Sequence, residues 1–141
     1  MPTSFASSIS SHRPVRILIV DDISLVRQEL HLLLDLSKEV EVVSEANNGL
    51  DAICQAKIFH PDLVVMDLEM PEMDGCQATG LIKEMDTPPK VIILTVHSGL
   101  EIEQRVKKSG ADLYIQKGTS FEILLAAILN LNDDIHRKDQ Q

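Results

Sequence analysis

A chain of 141 residues is one domain's worth and can bury roughly two thirds of its unfolded surface, so it needs no staples to hold a core. Its 13 basic against 22 acidic residues leave a net charge of −9, which excludes a phosphate-backbone partner; 3% aromatics with no Trp exclude a stacking platform for bases or flavins. No apolar run approaches the roughly 18 residues of a membrane span, the N-terminus lacks a signal-peptide core, and Cys54 and Cys76 form no CxxC; the expectation is a soluble cytoplasmic protein with two ordinary buried thiols.

Residues 1–14 are serine-rich with little apolar content and read as a disordered tail. The apolar run 17–20 follows, of the kind that fills a strand buried on both faces, and it stops at Asp21 and Asp22. A helix is predicted over 24–36, with Ser24 as N-cap and Val26, Leu30 and Leu33 at helical spacing. Segment 40–46 is more polar and suits an edge strand. Asn47, Asn48 and Gly49 make a turn, and a helix over 50–59 ends before Pro61. The run 63–66 is again wholly apolar and ends in Asp67, ahead of a loop with Glu69, Glu72 and Asp74 and no basic residue. A helix over 76–85 stops at Pro88 and Pro89; strand 91–94 ends in Thr95; Ser98 and Glu101 have capping-box spacing for a helix ending at Gly110. A short strand over 113–115 precedes Lys117, and Thr119 with Glu122 opens a last helix reaching about Leu131, after which 132–141 read as a polar tail. In that helix Ile123, Leu124, Ala127, Ile128 and Leu131 form a core stripe and Phe121, Leu125 and Leu129 a neighbouring apolar face.

Five strands alternating with five helices imply right-handed crossovers: an α/β fold with a doubly wound, three-layer parallel sheet. In such a sheet ligands bind at the carboxyl ends of the strands. Asp21, Asp22, Asp67, Thr95 and Lys117 would meet there: three carboxylates, a hydroxyl and an ammonium. Crowded carboxylates need compensation, and an all-oxygen set suits a hard cation such as Mg²⁺, which would keep Asp67 ionised as a nucleophile toward phosphorus. Each residue alone has an ordinary use, as helix cap, strand end or solvated charge; five at four strand tips argue jointly for a site.

The set Asp21-Asp22, Asp67 with Met70-Pro71 and Met73-Asp74-Gly75, Thr95, Tyr114 and Lys117 resembles the receiver domains of two-component response regulators, over about residues 15–132. The resemblance implies a flavodoxin-like fold with strand order 2-1-3-4-5. It implies that Asp67 is the phosphoacceptor, that Asp22 binds Mg²⁺ directly and Asp21 mainly through water, and that the Glu69 backbone carbonyl completes the metal site. Thr95 and Lys117 would hold the phosphoryl group, and Thr95 and Tyr114 would be the switch pair. The donor would be a histidine kinase or a histidine phosphotransfer protein. Many receivers carry a cis proline after the lysine; here Gly118 stands instead, as in regulators with a helix-turn-helix output, a domain absent from this chain. With no basic patch, the face that responds to phosphorylation should meet protein, either a second copy or a downstream partner, and not DNA.

Three other readings compete. An aspartyl-nucleophile phosphohydrolase wants Asp-x-Asp at the first strand tip, and here the aspartates are adjacent. A flavin module wants a hydroxyl-rich phosphate loop, where Asp21 and Asp22 would repel phosphate. A degenerate binding scaffold would not retain all five site residues.

Overall fold

The computed structural model describes residues 13–139, with side chains described up to residue 133. The elements are β1 (Val15–Val20), α1 (Ser24–Asp35), β2 (Val40–Ala46), α2 (Gly49–Phe59), β3 (Leu63–Asp67), α3 (Gly75–Ile82), β4 (Lys90–Thr95), α4 (Leu100–Ser109), β5 (Leu113–Gln116) and α5 (Phe121–Asp139). The five strands form one sheet in the order β2-β1-β3-β4-β5, all pairs parallel. The expected three-layer, doubly wound, flavodoxin-like architecture is what the chain adopts, and the polar segment 40–46 is at the edge, where only one neighbour must be satisfied.

Successive side chains of a strand point to opposite faces, so each apolar run feeds two cores. Leu18, Val20, Val64, Met66, Val91 and Ile93 face α2, α3 and α4, which answer with Ala52, Ala56, Ala78, Ile82 and Val106. Ile17, Ile19, Leu63, Val65 and Ile92 face α1 and α5 and meet Leu34, Leu124 and Ile128. The pairing of β1 with β2 shifts by one residue between Ile17 and Leu18, leaving Val43 as the extra residue of a bulge.

Several local expectations are corrected. Ser24 is the first residue of α1 and not its cap; Ile23 holds that position and its N–H donates to Asp21 Oδ1 at 2.9 Å. The buried leucine of α1 is Leu34, while Leu33 is exposed along with Leu25, Leu32 and Leu36. Gly99, with φ +114°, caps α4 in place of Ser98, a backbone region open mainly to glycine. The first bonds of α5 run to the Ser120 carbonyl, one residue beyond Thr119. Helix α3 ends at Ile82 because Glu84 and Met85 turn back to carbonyls three residues earlier, tightening the last turn. Helix α5 continues past Leu131 to Asp139, since 132–139 hold no proline or glycine to stop it. On α5, Ile123 is exposed, whereas Phe121, Leu125 and Leu129 pack on the core.

Cys76 is buried as expected, but Cys54 lies on the outward face of α2 and is exposed. Of the expected N-terminal tail, residues 1–12 lie outside the described residues; Arg13 reaches Asp62 Oδ1 at 3.1 Å. There is no cis peptide bond among the described residues, and Gly118 takes φ +96°, which proline cannot adopt. No described helix is long and apolar enough to cross a membrane.

Candidate functional site

The carboxyl ends of β1, β3, β4 and β5 form one rim because the registers align them: Val20 pairs with Met66, Asp67 with Leu94 and Thr95 with Gln116. Asp67, the last residue of β3, is 5% exposed; Asp21, just past β1, is 4% exposed. Asp22 is exposed beside them. Carboxylate oxygens of Asp21, Asp22 and Asp67 all lie within 4.8 Å of one another. Lys117, just past β5, sends its Nζ to Asp67 Oδ1 at 3.0 Å and to Asp21 Oδ2 at 3.3 Å. Its backbone N–H donates to the Thr95 carbonyl at 2.7 Å, which ties the β5 tip to β4. Thr95 is buried, and its hydroxyl oxygen accepts the His97 N–H at 3.1 Å.

The electrostatics follow from one ammonium serving two buried carboxylates. Burial pushes the Asp67 carboxyl above its ordinary pKa; the hydrogen bond and charge of Lys117 pull it back, and Asp21 pushes it up again. For Lys117, burial lowers the pKa, but Asp67 and Asp21 together more than offset it and the net shift is upward. The directions agree: the lysine has two partners, and each carboxylate has a share of one lysine. Counting Asp22, the cluster carries three negative charges against one positive. The excess of two charges and the all-oxygen donors match a hard divalent cation, so the residues present fit Mg²⁺.

Close packing of α3 on the β3 tip shapes the loop between them. A Cβ on Gly75 would stand 2.4 Å from the Asp67 carbonyl oxygen, and the Gly75 N–H donates to the Leu68 carbonyl at 2.8 Å. Asp74 caps α3 through a capping box with Gln77 and also pairs with Arg105 of α4. Glu72, in the same loop, holds φ +69°.

Asp21, Asp22, Asp67 and Lys117 come together as the sequence predicted, with Thr95 at the adjoining strand tip. The Glu69 side chain turns away to His97, Oε1 to Nε2 at 2.6 Å, bridging the loops that follow β3 and β4. Tyr114 is partly buried on the face of β5 toward α4, in a groove of about 890 Å³ with Leu100, Val106 and Lys107. Sequence reasoning missed Arg27, whose Nη1 donates to the Asp21 carbonyl at 2.6 Å and whose Nε donates to Glu45 Oε1 at 3.2 Å. No local spacing links positions 27 and 45; only the pairing of β1 with β2 makes them neighbours.

Residues 17–129 match the response regulator receiver domain family. The response regulator VraR of Staphylococcus saprophyticus is 38% identical over 115 residues, covering 82% of this chain and 55% of that protein. The chemotaxis protein CheY of Halobacterium salinarum is 40% identical over 102 residues, covering 72% of this chain and 83% of that one. A LuxR-family two-component response regulator from Aurantimonas superposes with a TM-score of 0.81 at 30% identity, 86% of each chain being covered. A five-stranded parallel sheet with an aspartate and lysine cluster at its carboxyl rim defines the receiver class of signalling module. The chain belongs to the response regulator receiver domains and serves phosphorelay signal transduction. Receivers bind Mg²⁺ in an acidic pocket and interact with histidine kinases or phosphotransfer proteins. The chain spans about half the length of the regulators VraR, LnrK and UvrY that it matches.

Proposed function

We propose that Asp67 accepts a phosphoryl group from a phosphohistidine on a histidine kinase or a histidine phosphotransfer protein. The observation that carries this reading is the buried Asp67 carboxylate, 3.0 Å from Lys117 and within 4.8 Å of Asp21 and Asp22. An Asp67 oxygen forms the new P–O bond as the P–N bond to the donor imidazole breaks. Asp22 and Asp67, the Glu69 backbone carbonyl and Asp21, the last mainly through water, would hold Mg²⁺. When bound, the cation supplies positive charge for the carboxylates and the transferred phosphoryl oxygens. Lys117 releases its hold on Asp67 Oδ1 and pairs with a phosphoryl oxygen, and the Thr95 hydroxyl donates to another. The chain thereby promotes its own phosphorylation and dephosphorylation while its output is a change of shape. Both cysteines are free, which fits a reducing compartment, and we assign the chain to the cytoplasm.

Thr95 and Tyr114 make the switch in this reading. Thr95 now accepts the His97 amide; its move toward the phosphoryl group frees the loop that leads into α4. Helix α4 buries only Val106, so it follows at small cost, and Tyr114 turns into the space beneath it. The surface of α4, β5 and α5 then meets a second copy or a downstream protein. The test is labelling with a small acyl phosphate and Mg²⁺ followed by site mapping: Asp67→Asn loses the label, and equal labelling of that variant would sink the assignment.

A further inference from the structure

The Asp21–Asp22 segment is anchored on several sides, and one of its anchors is a side chain of the helix that follows it. Each polar atom of Asp21 has a partner. Its N–H donates to the Ala46 carbonyl at 3.2 Å, its Oδ1 accepts the Ile23 N–H at 2.9 Å, and its Oδ2 faces Lys117 at 3.3 Å. Its carbonyl is the remaining atom. The first backbone bond of α1 runs from the Arg27 N–H to the Ile23 carbonyl, two residues beyond, so the Asp21 carbonyl is left to the Arg27 side chain, at 2.6 Å.

That carbonyl belongs to the planar peptide joining Asp21 to Asp22. Its orientation sets where the Asp22 side chain leaves the backbone. Asp22 itself is exposed, so the peptide plane has a large share in aiming its carboxylate. Arg27 is in turn fixed: its Nε donates to Glu45 Oε1 at 3.2 Å, and Glu45 Oε2 is 2.7 Å from His31 Nδ1. His31 Nε2 stands 3.4 Å from Asp35 Oδ2. The Glu45 carboxylate also offsets the guanidinium charge, so a cation at the acidic pair does not face an uncompensated arginine. Glu45 reaches this position because of the bulge at Val43. Without the shift, Ser44 would oppose Ile19; with it, Glu45 does, on the face that carries α1.

We infer that Arg27 is a positioning residue for the metal-binding pair: it locks the Asp21–Asp22 peptide, and Glu45 with His31 locks Arg27. Edge strand β2 thereby contributes to metal affinity without touching the metal. The inference rests on the acidic cluster being the Mg²⁺ site. Outer groups that orient metal ligands are worth about 10–100-fold in affinity, and Arg27→Met is expected to weaken Mg²⁺ binding by about tenfold. Arg27→Lys keeps one donor for the carbonyl but cannot span to Glu45 as well, and should fall between wild type and Arg27→Met.

The experiment is calorimetric titration of the metal-free chain with Mg²⁺ alone, beside amide NMR spectra recorded before metal is added. Arg27→Met should shift or broaden the Asp22 amide resonance without metal, which a purely electrostatic effect on the ion would not do. Leu34→Ala, which hollows the core under α1, lowers stability but should leave the affinity of the folded protein unchanged. Asp22→Ala tells the two readings apart. If it binds Mg²⁺ as wild type does, the site itself is misassigned. If it binds weakly while Arg27→Met binds as wild type does, the positioning role is overturned and the site stands. Should Arg27→Met not fold, Arg27→Lys with wild-type affinity and an unmoved Asp22 amide overturns the role equally.

Discussion

At Asp67, burial and Lys117 pull in opposite directions, and burial wins. A carboxyl whose native pKa lies above its unfolded value favours folding while protonated, and that contribution is lost as pH rises through the native value. In metal-free protein, Asp67 therefore weighs against the fold at neutral pH. Asp67→Asn should be more stable than wild type at pH 7 without Mg²⁺, and the gap should close as pH falls below the ordinary carboxylate range, about 3.9. Urea unfolding at a series of pH values reads this directly; a gap that is constant with pH contradicts it. Lys117 behaves in the opposite sense to a burdened group. Its raised pKa keeps its stabilising charge in place through neutrality, and the loss comes only at alkaline pH. Asp22 adds repulsion without being buried, so Asp22→Ala should hold or raise the metal-free melting temperature while abolishing most of the Mg²⁺-induced rise. At Gly75 the limit is space. An added methyl meets the Asp67 carbonyl oxygen and the Leu68 Cα, backbone atoms that cannot step aside. Gly75→Ala should cost about 1–3 kcal/mol and slow phosphorylation, because the atom displaced belongs to the phosphoacceptor.

Among the elements, the helices differ in how firmly they are held. Helices α2 and α3 bury alanines against the sheet, whereas α4 buries Val106 alone and otherwise leans on Ile102 and the Arg105–Asp74 pair. Amide exchange should be fastest in Leu100–Ser109 among the helices packed on the sheet, and phosphorylation should change protection there and in β5 while leaving α1 and β2 unaltered; changes confined to α1 and β2 would overturn the proposed switch. The bridge between Glu69 and His97 joins the loops that follow β3 and β4, whose tips carry Asp67 and Thr95. Removing either side chain should change the lifetime of the aspartyl phosphate without preventing its formation, as a decay time course would show. A smaller matter is the end of α2. His60 closes it with φ +46°, a conformation that costs a non-glycine residue about 1 kcal/mol. Its carbonyl accepts from Arg16 whatever the side chain, so His60→Gly should stabilise the chain by about 0.5 kcal/mol once the extra freedom of unfolded glycine is deducted.

For the whole molecule, the order of elements and the layout of the rim were legible in the sequence. A parallel strand buried on both faces must be written as an unbroken apolar run, and its end is marked by the first residue that needs water or a ligand. That is why 17–20, 63–66 and 91–94 could be located, and why Asp21, Asp67 and Thr95 could be placed at strand tips. The polar pattern of 40–46 likewise announced an edge, because an edge strand is half solvated. Helix caps were less legible: Ser24, Ser98 and Thr119 each lay one residue from the true cap position, since capping depends on backbone angles that neighbours impose. What the tertiary structure alone decided are the contacts that join distant positions. Lys117 meets Asp21 across 96 residues, Arg27 meets Glu45 only through the β1–β2 register, and the bulge at Val43 selects which side of β2 faces α1. The alternation of apolar and polar residues sets which face of an element is buried, a local property. Which charged group stands 3 Å from which other depends on how separately encoded elements are stacked, and no spacing along the chain contains it.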